Sequence, residues 1–102
     1  YMAVTPEGDL YPCHQFVGND DFKLGDVFNG VINSDIREKF KQSNVFSKEE
    51  CKTCWARFYC NGGCHANAYN TNKDITKPYK IGCEMEKKRI ECAISILANL
   101  EE

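Results

Sequence analysis

Four of the seven cysteines fall within one short stretch, "CKTCWARFYCNGGC", as C-x2-C-x5-C-x3-C at Cys51, Cys54, Cys60 and Cys64. A chain of 102 residues buries a smaller fraction of its surface than a large domain does, so a covalent or metal staple adds much to its stability. Such a cluster is built either for disulfides or for metal. The count of seven is odd, so at least one thiol lacks an internal disulfide partner. The start, "YMAVTPEGDLYPC", has neither the basic nor the apolar segment of a secretory signal. Cys51 and Cys54 are spaced to put two thiolates on one side of a tight turn, which suits a shared metal ion. Metal is therefore favoured over disulfides. Tetrahedral zinc and a cubane iron–sulfur cluster both accept four thiolates. Cys60 can return to the Cys51–Cys54 pair after one loop, and Cys64, Cys83 or Cys92 can supply the fourth ligand. Asn61-Gly62-Gly63 permits positive φ and close backbone approach, as a loop wrapped round an inorganic core requires. On its own it would be a plain tight turn.

The formal charge of −2, from 13 basic and 15 acidic residues, gives no basic field for nucleic acid or an anionic membrane surface. No run approaches the roughly 18 apolar residues of a membrane span. With 42% hydrophobic and 27% charged residues the chain is ordinary for a soluble domain, and a cytoplasmic location is expected. The abrupt start at Tyr1 reads as that of a piece of a longer protein.

Residues 1–12 alternate and turn at Pro6-Glu7-Gly8-Asp9, which predicts a β-hairpin ended by Pro12. The segment 14–30 reads as loop and short strand, anchored by Phe16, Val17, Leu24, Val27 and Phe28. "NSDIREKFKQSNVF" predicts a helix capped by Asn33 or Ser34, with Ile36 and Phe40 on one face. Ser47 and Glu50 have the spacing of a capping box, with Cys51 opening a short helical turn. "HANAYNTN" reads as a short helix, and Pro78 breaks the loop after it. From about Cys83 to Leu100, Ile90, Ala93, Ile94, Leu97 and Leu100 form an apolar stripe at helical spacing, read as core packing. The expected fold class is α+β: a small cysteine-rich domain, 1–102, with an N-terminal β-hairpin, metal-binding loops and a C-terminal helix.

The whole-chain pattern is more specific than any of its parts: G-x4-C from Gly8 to Cys13, a gap, C-x2-C-x5-C-x3-C, a second gap, then Cys83. It resembles the SPASM domain, the C-terminal auxiliary-cluster extension of radical SAM peptide- and protein-modifying enzymes, at every element after that family's first cysteine. That first cysteine would lie upstream of Tyr1. The text "YMAVTPEGDLYPCHQFVG" and "CWARFYCNGGCHA" is most similar to the maturases of the SCIFF peptides, which form a thioether between a cysteine and a threonine. The resemblance implies that Cys51, Cys54, Cys60 and Cys83 ligate one complete [4Fe–4S] cluster. It also implies that Cys13 and Cys64 supply part of a second, whose remaining ligands come from upstream. Cys92 matches no family ligand and reads as a small packed hydrophobe. His14 and His65 follow ligand cysteines; the four-thiolate preference of such clusters makes them neighbours rather than ligands. Trp55, Phe58 and Tyr59 read as an apolar wall against the cluster or as ordinary core. Arg57 reads as a partner of the cluster's negative charge or as a surface residue, and "REKFK" and "EMEKKR" as solvated helix faces.

The C-x3-C-x2-C spacing that binds the S-adenosylmethionine cluster in that family does not occur, since position 67 is Asn67. The chain by itself is thus expected to generate no radical. Its implied partners are a radical SAM core in the same protein and a Cys-rich precursor peptide. Its implied role there is to accept an electron or to hold a substrate thiolate. The alternative is a structural zinc module, using the same four cysteines, for folding or partner binding. A disulfide-knit secreted domain is the third reading.

Overall fold

Strand β1 (Ala3–Val4) and strand β2 (Asp9–Tyr11) pair antiparallel, with Ala3 opposite Tyr11 and Val4 opposite Leu10. The turn between them is closed twice by Thr5: its carbonyl accepts from the Gly8 amide at 2.9 Å, and its Oγ1 from the Asp9 amide at 3.0 Å. Gly8 sits at φ +92°, where a side chain would be strained. This is the hairpin the sequence predicts. These features come from a computed structural model, which describes residues 1–101.

The Gly-rich segment that follows adds two strands, β3 (Gly25–Asp26) and β4 (Gly30–Val31), so that the sheet has four antiparallel strands in the order β1-β2-β3-β4. A Cβ at Gly25 would run into the Gly30 carbonyl, so this register admits no side chain there. The β3–β4 turn is organised by Asp26, whose carboxylate accepts from the Asn29 side chain and from the backbone amides of Phe28 and Asn29. Those donors, the Asn29 side chain first, hold the Asp26 carboxyl below its ordinary value.

Of the five residues expected to anchor segment 14–30, Phe16 and Leu24 are buried. Val17, Val27 and Phe28 are exposed; the last two lie beside the tight β3–β4 turn, on a small sheet that leaves its rim in solvent. Phe16 packs against Phe22 (centroids 4.3 Å) and edge-on to Phe40 (5.6 Å). Phe40 belongs to helix α1 (Ser34–Gln42), and the three rings are the aromatic centre of the first of two units, Tyr1–Ser43. The helix stops at Gln42 rather than running on to Phe46. Asn44 turns the chain instead, its Oδ1 accepting from the Phe46 and Ser47 amides, the local bond by which Asn competes with a helix.

The second unit, Asn44–Glu102, is helical: α2 (Glu49–Lys52), α3 (Arg57–Cys60), α4 (His65–Asn72) and α5 (Lys80–Leu100). The expected Ser47–Glu50 capping box does not form. Ser47 Oγ is engaged with the Asn44 backbone, and Lys48 takes the N-cap position of α2. Helix α5 starts three residues before Cys83. Its buried or half-buried positions, Gly82, Cys83, Glu86, Lys87 and Ile90, lie along one face of its first half. Of the predicted stripe only Ile90 is buried; Ala93, Ile94, Leu97 and Leu100 are exposed. A 21-residue helix is about 31 Å long, and the short helices α2–α4 leave its second half uncovered. Cys92 is likewise exposed rather than packed. The charged positions of α5 pair at i,i+3, Glu86 with Arg89 at 2.7 Å and Glu91 with Lys88 at 2.9 Å, as a solvated face does. Among the described residues no helix is long and apolar enough to cross a membrane.

Candidate metal centre

Four segments of the second unit deliver the cysteines predicted to form the complete centre. Lys48 starts the α2 turn, its carbonyl accepting from the Cys51 and Lys52 amides at 3.0 and 3.1 Å, and this turn places Cys51. The Cys51 carbonyl accepts from the Cys54 amide at 3.1 Å, so the C-x2-C pair sits on a tight turn, as its spacing demands. Arg57 reaches back to donate from its guanidinium to the Cys54 carbonyl at 2.9 Å. It is therefore tied to the Cys51–Cys54 turn and is not a loose surface charge. Cys60 closes α3. Cys83 lies in the first turn of α5, its amide bonded to the Tyr79 carbonyl at 3.1 Å.

Beyond Cys60 the chain takes three successive left-handed residues, Asn61 (φ 59°), Gly62 (φ 95°) and Gly63 (φ 76°). This is the positive-φ turn anticipated from "NGG". It ends α3 abruptly and delivers Cys64 to the N-cap position of α4.

Cys51, Cys54, Cys60 and Cys83 border one cavity of about 300 Å³, whose wall also includes Trp55, Ala56 and Gly62. None of the seven cysteines is in a disulfide. The four thiols ring a space; among the described residues no three Cys, His, Asp or Glu groups converge tightly enough to hold a single ion. Cys64 is exposed and borders a neighbouring cavity together with Cys60 and Cys83. Cys13 lies in the first unit, half-buried, at the head of a 3-10 turn, His14–Phe16.

The aromatic residues between the cysteines are not ordinary core. Trp55 is half exposed at the cavity wall, while Phe58 and Tyr59 face solvent. Phe58 lies 6.0 Å from the Phe46 ring and under the Arg57 guanidinium, at 4.7 Å. His14 lies near the Tyr1 hydroxyl, at 3.4 Å. His65 is half-buried, and burial, then the charge of Lys48, lowers its pKa.

Electrostatically Cys51 is buried and Cys54, Cys60 and Cys83 are half-buried, with Lys48 beside them and Glu50 acting on Cys51 and Cys83 with the opposite sign. Burial pushes the Cys51 thiol up from its usual value, and the Lys48 ammonium pulls it back. Burial likewise raises Cys83. Lys48 is 1% exposed. Burial lowers its pKa, and the thiols of Cys51, Cys60, Cys83 and Cys64 oppose that shift. Its Nζ donates to the Gly62 carbonyl at 3.0 Å. Nothing in "SKEE" marks this residue: lysine is among the residue types least often buried, and its neighbours are exposed.

Four cysteines that border one cavity are a donor set suited to a cysteine-ligated metal centre. A family model described as an iron-sulfur cluster-binding domain, SPASM, matches residues 1–55, a span that includes Cys13, Cys51 and Cys54. The chain belongs to this family. It is 30% identical over 96% of its length to an uncharacterized protein of Archaeoglobus fulgidus, of which it covers 24%. It is 30% identical over 94% of its length to a cysteine-type anaerobic sulfatase-maturating enzyme of Clostridium novyi, of which it covers 26%. To a serine-type anaerobic sulfatase-maturating enzyme of Klebsiella aerogenes it is 28% identical over 71% of its length, covering 19% of that protein. The chain thus spans about a quarter of the length of the first two relatives and about a fifth of the third.

Proposed function

We propose that Cys51, Cys54, Cys60 and Cys83 hold one [4Fe–4S] cluster, and that Cys13 and Cys64 contribute to a second, as auxiliary centres of a radical SAM maturase. The observation that carries this reading is the cavity ringed by those four cysteines. Four thiolates also suit zinc; the match to an iron-sulfur cluster-binding domain is what supports the cluster. A four-iron cluster supplies one-electron transfer and, at an iron without a protein thiolate, a site for a substrate thiolate. Around it the protein's own residues fix the geometry: Arg57 and the α2 turn set the Cys51–Cys54 loop, the left-handed triplet separates Cys60 from Cys64, and Trp55 and Ala56 narrow access for water. The substrate proposed for the whole protein is a Cys-rich peptide that receives a thioether cross-link, handled together with a radical SAM core of the same protein. The sulfatase-maturating relatives support the broader class of peptide-modifying maturase.

Anaerobic reconstitution with iron and sulfide tests the ligand set. In the full-length protein each of C51A, C54A, C60A and C83A is expected to lose one cluster, about four irons, and the matching share of the broad absorbance near roughly 400 nm; C92A is expected to lose none. Full iron content in any of the four variants sinks the assignment. A colourless protein holding stoichiometric zinc would establish the zinc module instead.

A further inference from the structure

The most deeply buried large side chain in the described residues is a lysine, and it lies among the proposed ligands. Lys48 is 1% exposed. Its backbone carbonyl starts the turn that carries Cys51, and its side chain crosses to the loop after Cys60, donating to the Gly62 carbonyl at 3.0 Å. Gly62 fits it closely: a Cβ there would lie 2.9 Å from Lys48 Nζ and 3.6 Å from Cδ and Cε. One residue thus ties the two loops that present Cys51 and Cys60. An ammonium has three donors, and among the described residues Gly62 is the one hydrogen-bond acceptor recorded on it. Among the described residues no acidic side chain forms an ion pair with it. The groups whose charge it feels are instead the sulfurs of Cys51, Cys60, Cys83 and Cys64, and its own charge reaches Cys51 and His65.

A buried cation without a carboxylate is costly unless something negative faces it. Four thiolates around an iron–sulfur core carry net negative charge, and charge and hydrogen bonding near the sulfurs set the potential of such a centre. We propose that Lys48 is the positioning and charge-compensating residue of the Cys51–Cys54–Cys60–Cys83 centre, clamping the Gly62 loop and raising the centre's reduction potential. This rests on the ligand assignment above.

The test compares K48M and K48R with the unaltered protein, reconstituted anaerobically, by iron content and by redox titration followed by electron paramagnetic resonance. The relevant signal is the one that disappears in C83A. K48M removes the charge and is expected to lower the potential so that, at a fixed applied potential, the ratio of reduced to oxidised centre falls about tenfold. That corresponds to about 59 mV for a one-electron couple. K48R keeps the charge and is expected to stay close to the unaltered protein. An unchanged potential in K48M overturns the proposal while leaving the ligand set standing. Failure of the unaltered protein to bind iron overturns the ligand set itself, and this inference with it. Should K48M not load, K48Q, which keeps a donor for Gly62, is titrated by the same criterion. Loss of loading in both neutral variants with full loading in K48R supports the requirement for charge. Loss in all three assigns Lys48 to folding alone and overturns the proposal.

Discussion

Gly62 and Gly63 are adjacent, both left-handed, and differ in what surrounds them. Replacing each by alanine therefore separates backbone strain from the Lys48 contact. At φ 76° a Gly63 Cβ would meet nothing within 4 Å, so G63A carries only the cost of an L-residue in left-handed backbone, about 1–2 kcal/mol. At φ 95° a Gly62 Cβ would sit 2.9 Å from Lys48 Nζ. G62A carries the same strain and also forces the ammonium off the Gly62 carbonyl. Leaving a buried polar group unpaired costs about 1–3 kcal/mol, more where the group is charged. The expected totals are about 1–2 kcal/mol for G63A and about 2–5 kcal/mol for G62A. For a domain of this size 1 kcal/mol corresponds to a Tm change of about 5 °C. G62A should thus melt about 5–15 °C below G63A when the reduced, metal-free proteins are unfolded thermally and followed by circular dichroism. A K48M background should remove most of that gap, because the contact is then with a neutral side chain that makes no bond to Gly62. Equal melting temperatures for G62A and G63A, or a gap that survives K48M unchanged, would refute the reasoning that Lys48 is fixed against this loop.

Three further outcomes follow from the two units. F16A removes a ring that is 3% exposed and packed against Phe22 and Phe40; it should destabilise the first unit by about 3–5 kcal/mol, read by denaturant midpoint, and a loss below 1 kcal/mol would show that the three rings are not its core. I90A should cost about 2–5 kcal/mol and I94A no more than about 0.5 kcal/mol, since Ile90 is 8% exposed and Ile94 53%; equal costs would contradict the half-covered placement of α5. The Asp26 carboxyl is held below its usual value of 3.8 by the donors of the β3–β4 turn, so its contribution to stability is complete above that pH and is lost as pH falls through its lower folded value. The Phe28 and Asn29 amide shifts should then titrate with a midpoint below 3.8, and a midpoint at or above it would remove the carboxylate from the turn.

The elements that were legible in the sequence are those fixed by local chemistry. The first hairpin follows from the Pro6–Asp9 turn, α4 from the stretch "HANAYNTN", and the left-handed triplet from "NGG", because only glycine and asparagine take that backbone readily. Spacing groups Cys51, Cys54 and Cys60 and leaves Cys64, Cys83 or Cys92 as the fourth; the resemblance implies Cys83, and these four border one cavity. What could not be read depends on packing between distant segments. Asn44 and Ser47 bond each other, which shortens α1 and removes the expected capping box. The stripe on α5 is periodic over its whole length, yet burial stops at Ile90, because periodicity states which face is apolar and not how far a neighbour extends along it. Strands β3 and β4, two residues each, lack the length to show alternation.

Lys48 belongs to the second kind and shows where family likeness and geometry part. The family match ends at residue 55 and so contains Cys51 and Cys54 but neither Cys60 nor Cys83. It is the cavity wall that adds Cys60 and Cys83 to the pair, and it is Lys48, bonded to the loop after Cys60, that holds the matched and unmatched segments together. Zn²⁺ held by four thiolates and an oxidised [4Fe–4S] core held by four thiolates both remain net negative, so a buried ammonium suits either. A centre whose net charge stays negative is stabilised by the same cation. The buried ammonium therefore fits a four-thiolate centre of either kind; what separates them is redox activity, since zinc has no reduction potential for Lys48 to shift and an iron–sulfur centre does.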